Sequence, residues 1–122
     1  MMQVQVRMFI CDDGERFMGK GPAKLLRLTE QTGSLRRAAA QMGMSYSKAH
    51  GLIKRLEQVV PQQVLECHVG GASGGGAQLT EYGRCLLQAY EEMNSKINAG
   101  AEQAFSEFCA AMGLDNSDAA ST

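Results

Sequence analysis

No stretch of this sequence holds the roughly 18 consecutive apolar residues that a transmembrane helix needs, so no membrane span is expected. Residues 1–10 carry Gln3, Gln5 and Arg7 among their apolar neighbours and lack the unbroken apolar core of a secretory signal. The four cysteines, Cys11, Cys67, Cys85 and Cys109, form no Cys-x-x-Cys pair. A disulfide framework in so short a chain would be denser. Structural zinc needs four converging ligands, usually in two close pairs. Only Cys67 and His68 are adjacent, and neighbours on a strand point to opposite faces. The expectation is four reduced thiols, no metal and a cytoplasmic chain. At 122 residues the sequence is also too short for a barrel enzyme or a full doubly-wound dinucleotide fold. It fits one compact domain, or one domain with an appended helix.

Catalytic signatures are missing as well. Residues 14–21 match a phosphate-binding loop at every place but the last, which needs a Ser or Thr hydroxyl for magnesium and holds Gly21. His50 and His68 have no partner at an informative spacing. The reading is therefore not an enzyme, with no catalytic residues and no cofactor.

Charge is scarce in total, with 12 basic and 13 acidic residues for a net of −1, but it is unevenly placed. Residues 16–55 hold nine basic side chains and one acid, Glu30. From residue 56 onward, Arg84 and Lys96 stand against nine acids. A basic block followed by an acidic one indicates a local electrostatic footprint.

The elements come next. Val4, Val6, Met8 and Ile10 alternate with Gln3, Gln5, Arg7 and Phe9, the period of a strand. Asp12-Asp13-Gly14 reads as a tight turn, residues 15–18 as a short returning strand, and Gly19 and Gly21 as a loop. Pro22 suits the start of a helix over residues 22–32, with Leu25, Leu26, Leu28 and Thr32 along its apolar side and Gly33 at its end. Ser34 caps a second helix whose apolar residues are Leu35, Ala38, Ala39 and Met42, ended by Gly43. Ser45 caps a third, with Ala49, Leu52, Ile53, Leu56, Val59 and Val60 on one stripe and Pro61 as its stop.

Helix, short Gly43-Met44 turn, helix is the layout of a helix-turn-helix. The second helix of such a pair reads the major groove of DNA with its N-terminal turns. Opposite its apolar stripe lie Ser47, Gly51, Lys54 and Gln58, flanked by His50 on one side and by Lys48 and Arg55 on the other. That face is small and polar at its start and cationic further on, which suits base contact followed by phosphate contact. Residues 64–69 and 77–79 read as two strands around Gly70-Gly71-Ala72-Ser73-Gly74-Gly75-Gly76. A glycine-rich hairpin in that place reads as a wing able to lie close to phosphates. Thr80 then caps a long helix with Tyr82, Leu86, Ala89, Tyr90, Met93, Ile97, Ala101, Ala104, Phe105 and Phe108 along its apolar face. At ~1.5 Å per residue this stripe runs ~43 Å, more than one small domain covers, so it is assigned to a dimer seam. Gly100 marks a kink or a close crossing in it.

These segments carry a resemblance. Gly33-Ser34-Leu35, Ala38-Ala39, Met42-Gly43-Met44-Ser45-Tyr46, the run Gly70-Gly71 through Gly74-Gly75-Gly76-Ala77, then Leu79-Thr80 and Tyr82-Gly83 resemble the DNA-binding domain of ModE-type molybdate-responsive regulators, whose winged helix is akin to the LysR type. The likeness extends over residues 21–108. It implies that the helix after Ser45 reads the major groove, that the glycine loop meets the backbone, and that the flanking helices dimerise. Carried over, Ser45, Tyr46, Ser47, Lys48 and His50 match the recognition turn, Lys54 and Arg55 its later cationic part, and Gly70 to Gly76 the wing. The family often has Trp where this chain has His50 and Arg where it has Cys67, and the wing here holds no cation, so weaker wing affinity and a different operator are implied. Family regulators carry oxyanion-binding domains after the long helix; the expectation here is a chain that lacks them, so molybdate sensing is not carried over.

The expectation is a mainly α fold with a small β wing. Residues 1–21 form an N-terminal strand or hairpin, 22–79 a winged helix-turn-helix, 80–112 a dimerisation helix and 113–122 a flexible tail. The partners are double-stranded DNA and a second copy of the chain. The DNA-facing set is Ser34, Arg36, Arg37, Ser45, Tyr46, Ser47, Lys48, His50, Gly51, Lys54 and Arg55, with Gly70, Gly71, Ser73, Gly74, Gly75 and Gly76 on the wing. The function is sequence-specific transcriptional regulation as a homodimer. The alternative, suggested by the acidic long helix, is a protein-interaction module that dimerises with or antagonises a full-length regulator.

Overall fold

The computed structural model describes residues 1–68 and 76–115. Its elements are β1 (Phe9–Asp12), β2 (Glu15–Gly19), α1 (Lys20–Thr32), α2 (Leu35–Gln41), α3 (Tyr46–Val59), β3 (Leu65–His68), β4 (Gly76–Leu79) and α4 (Glu81–Met112). The fold is mainly α with two antiparallel strand pairs, β1 with β2 and β3 with β4. Two compact units emerge, residues 9–90 and, separately, residues 1–8 with the described residues from Glu91 on.

In the 9–90 unit, Asp13 and Gly14 both take positive φ, 50° and 79°, which closes a two-residue hairpin turn matched to strand twist. The alternation over residues 3–10 predicts a longer strand than is found. β2 offers only Glu15–Gly19 as partner, so pairing starts at Phe9↔Gly19, and among the described residues none pairs as a strand with residues 3–8. The register shifts between Ile10 and Cys11. No loop follows at Gly19 and Gly21 either. β2 runs straight into α1, which starts at Lys20, two residues before the expected Pro22. Pro22 then occupies the third helical position, where a missing N–H still costs no helix bond.

The helix ends follow the sequence closely. Gly33 takes φ 72° at the end of α1. Ser34 and Ser45 accept hydrogen bonds from the Arg37 and Lys48 amides at 3.1 Å each, satisfying donors that the first turns of α2 and α3 leave unpaired. Between these helices Gly43 takes φ 69°, a conformation that costs a side-chain-bearing residue about 1–2 kcal/mol. The Met44 amide donates back to the Ala39 carbonyl, 3.0 Å, and the turn is complete in a few residues.

The core is built on the inward faces these turns create. Met18, Leu25, Leu26, Leu35, Ala38, Ala39, Ala49, Ile53, Leu56, Val64, Leu65, Ala77, Leu79 and Leu87 are buried. Ala38 and Ala39 present methyl groups only, so α1 and α3 can both approach α2. The buried side of α1 is Ala23, Leu25, Leu26 and Thr29; Leu28 and Thr32, expected on that side, are half-buried. Thr29 is satisfied by donating to the Leu25 carbonyl at 2.7 Å. In the other unit Cys109 is fully buried. α4 runs unbroken through Gly100 and closes where Gly113, φ 70°, and Leu114 donate to the Ala110 and Cys109 carbonyls.

Candidate nucleic-acid interface

A helix turns by about 100° per residue, so burying Ala49, Ile53 and Leu56 of α3 must expose the opposite face. Ser47, Gly51, Lys54 and Gln58 are indeed exposed, as are Tyr46, Lys48 and His50. Arg36 and Arg37, in the first turn of α2, are exposed too, and Ser34 is half-buried beneath its capping bond. No acidic residue occupies the first turn of α1, α2 or α3, so their N-terminal dipoles are not offset by an adjacent carboxylate.

One contact joins the two helices on this surface. The Arg36 guanidinium lies over the Tyr46 ring, 4.5 Å from its centroid, and the His50 ring stands 5.9 Å from the same centroid at 37°. The sequence puts all three residues in the candidate set but gives no sign that one ring gathers the other two. The signal was there in retrospect. α2 is only seven residues long, so a long side chain near its start can reach the first residue of α3 across the turn, and His50 is one helical turn from Tyr46.

The cations further along α3 differ from expectation in their surroundings. Arg55 is half-buried and faces the β1–β2 hairpin; its Nε donates to the Arg16 carbonyl at 2.6 Å and its terminal nitrogen to Glu15 at 2.7 Å. Arg16 in turn stacks over Phe9, 3.7 Å from the ring centroid. Lys54 keeps 60% of its side chain exposed and lies 3.7 Å from the Glu57 carboxylate. Glu57 was not singled out by sequence. Its other oxygen accepts from the Val64 and Leu65 amides at 2.8 and 3.1 Å and so ties α3 to the start of β3. Glu57→Ala should strand two partly buried N–H groups. Leaving a buried donor without its acceptor costs about 1–3 kcal/mol, so with two part-buried donors affected a drop of at least about 2 kcal/mol in urea unfolding is expected; a midpoint equal to the parent would show the tie to be dispensable.

The wing strands pair in register from Leu65↔Leu79 to His68↔Gly76, and the Ala77 amide donates to the Gly33 carbonyl at 2.8 Å, anchoring β4 on the end of α1. Gly70, Gly71, Ser73, Gly74 and Gly75 lie outside the described residues; Gly76 is half-buried. Thr80 caps α4 by accepting from the Gly83 amide at 2.9 Å, and its own amide donates to the Val64 carbonyl.

Of the residues assigned to a dimer seam, Tyr82 and Leu86 are half-buried, Ala89 is exposed and Tyr90 is 6% exposed within the 9–90 unit. Burial pushes the Tyr90 hydroxyl pKa up. In the other unit Met93, Ala101 and Phe105 are half-buried, Ala104 is exposed, and Ile97 and Phe108 are 39% and 55% exposed. Among the described residues, no group of three metal-ligating side chains converges, and no helix is long and apolar enough to cross a membrane.

Two packed helices joined by a four-residue turn, with a strand pair after the second, define a helix-turn-helix domain of the winged kind. Residues 23–84 match the family described as bacterial regulatory helix-turn-helix protein, lysR family. Similar proteins include the transcriptional regulator ModE of Haemophilus influenzae, 35% identical over 75 residues (62% of this chain, 29% of that protein). The DNA-binding transcriptional dual regulator ModE of Escherichia coli K12 is 31% identical over 90 residues (74% and 34%). The molybdenum-pterin-binding protein MopB of Rhodobacter capsulatus is 34% identical over 98 residues (80% and 35%). The chain thus belongs to the lysR-family bacterial regulatory helix-turn-helix proteins, and its domain is of the ModE type. It spans about a third of the length of the curated relatives it matches.

Proposed function

We propose that this chain binds double-stranded DNA sequence-specifically as a homodimer and thereby regulates transcription. The N-terminal turns of α3 enter the major groove, with Ser45, Tyr46, Ser47, His50 and Gly51 toward base edges. Ser34, Arg36, Arg37, Lys48 and Lys54 lie toward phosphates, and residues 70–76 lie along the backbone as a wing. Residues 22–79 carry the DNA contacts and α4 pairs two copies. The observation that carries this reading is the outward face of α3, which is exposed along Ser47, Gly51 and Lys54 and bordered by unopposed helix N-termini and basic side chains. Arg55 supports the hairpin in this reading and contributes little to phosphate binding, because Glu15 already neutralises it.

Two recognition helices on a two-fold axis would meet successive major grooves about 34–36 Å apart. With roughly four phosphates neutralised per subunit, log affinity should fall against log salt with a slope near −7. A gel-shift series in salt measures the slope, using a duplex that the protein recovers from a random-sequence pool. A salt-independent shift overturns the phosphate contacts, and no recovered duplex overturns DNA binding. Light scattering of the free chain and of the complex measures the stoichiometry, and one chain per duplex overturns the dimer.

A further inference from the structure

Arg36 differs in its partner from the cations further along α3. Lys54 and Arg55 each sit against a carboxylate, Glu57 and Glu15. Among the described residues no acid pairs with Arg36; its partner is the face of Tyr46. A guanidinium held over a ring spends none of its N–H donors on that contact, and a phosphate can take two of them side by side. The ring comes from the first residue of α3, and the arginine from the second residue of α2. Tyr46 stands at the N-terminus of α3, which itself favours an anion. His50 stands against the same ring one turn along α3.

Resting on the DNA-binding reading above, we propose that Tyr46 is a positioning residue. Its ring pre-sets Arg36 from α2 for a backbone phosphate at the edge of the groove that α3 occupies, and places His50 on the base side of the same strip. The physical basis is entropy. A free arginine loses much of its rotamer freedom when it clamps a phosphate, and a side chain already held in place loses less. The hydroxyl of Tyr46 has no part in this; the aromatic face does.

The test is a set of variants on the duplex recovered by the wild-type chain. An exposed-site cation–π contact corresponds to about a 2- to 5-fold change in equilibrium. Tyr46→Leu should weaken binding by about that factor and make the salt slope shallower by up to ~0.9 per subunit, as one phosphate contact is loosened. Tyr46→Phe should bind as the parent, since it retains the ring. In an Arg36→Ala background, Tyr46→Leu should cost clearly less than it does in the parent, the remainder being the hold of the ring on His50. Tyr46 is 37% exposed, so both variants are expected to fold, which far-ultraviolet circular dichroism checks. Three results overturn the proposal while leaving DNA binding standing: Tyr46→Leu binding like the parent, Tyr46→Phe as weak as Tyr46→Leu, or an undiminished Tyr46→Leu loss without Arg36. Failure of the wild-type chain to recover any duplex overturns the DNA-binding reading and this proposal together.

Discussion

Gly83→Ala should lower the melting temperature of the domain by more than about 10 °C. Gly83 is the third residue of α4, and a Cβ there would run into the Val64 carbonyl oxygen and also crowd the Val64 carbonyl carbon and side chain. The obstruction is backbone, and it cannot swing aside. That same Val64 oxygen accepts the Thr80 amide at 2.9 Å, and the Thr80 hydroxyl donates to the Gln63 carbonyl at 2.6 Å. Moving the strand away from α4 would therefore break the knot that starts both elements. Forcing extra volume into packed structure costs about 1–3 kcal/mol or more, and each kcal/mol shifts the midpoint of a domain this size by about 4–8 °C. Gly51→Ala supplies the contrast. Gly51 is also inside a helix, but nothing lies within 4 Å of the position its Cβ would take. Alanine there should add about 0.5–1 kcal/mol of stability. Thermal melts of the two variants should move in opposite directions, and a Gly83→Ala protein that melts with the parent would rule out this close approach.

That glycine also marks where reading the chain by sequence stops working. Local chemistry was legible. Ser34 and Ser45 are caps, Gly33 and Gly43 take the left-handed turns, and Asp13-Gly14 closes the hairpin, because each depends on a few neighbouring residues. Of the stripe that periodicity predicts on α3, Ala49, Ile53 and Leu56 are buried and Leu52 and Val60 half-buried, whereas Val59 at the end of the helix is exposed; the outward face follows from the buried three. Features that need a distant partner were not legible. Alternation over residues 3–8 satisfies the pattern of a strand, yet a strand needs a partner, and β2 is five residues long. Gly83 reads as an ordinary small residue until Val64 is placed against it.

The same limit governs the site. Arg55 has the spacing of a phosphate contact on α3, but its counter-ion, Glu15, is 40 residues away and is delivered by the packing of β2 against that helix. Glu57 looks like a solvated acid on a basic helix; its role appears only once the Val64 and Leu65 amides turn toward it. The net effect is a sorting of cations. The sequence shows a basic stretch over residues 16–55, whereas the fold assigns carboxylate partners to Lys54 and Arg55 further along α3 and leaves Lys48 in its first turn, and Arg36 of α2 over Tyr46, without an ion pair among the described residues. The cations without a carboxylate partner thus lie at the end of α3 that carries the small polar side chains.

Ser47→Glu should separate folding from DNA binding more sharply than any other single change. Ser47 is the second residue of α3, exposed, and the first turn of that helix has no acid of its own. A carboxylate there interacts favourably with the helix dipole, a gain of about 0.3–1 kcal/mol. On DNA the sign reverses. If the face of α3 sits in the major groove, the new charge is brought among phosphates and base acceptors. Such like-charge placement costs several kcal/mol, which is on the order of a 100-fold loss or more. Fluorescence anisotropy on the recovered duplex and a thermal melt of the free protein read the two effects separately. The expected pair is abolished binding with an unchanged or slightly raised midpoint. Parent-like binding by Ser47→Glu would place some surface other than α3 against the duplex, whatever the family to which the domain belongs.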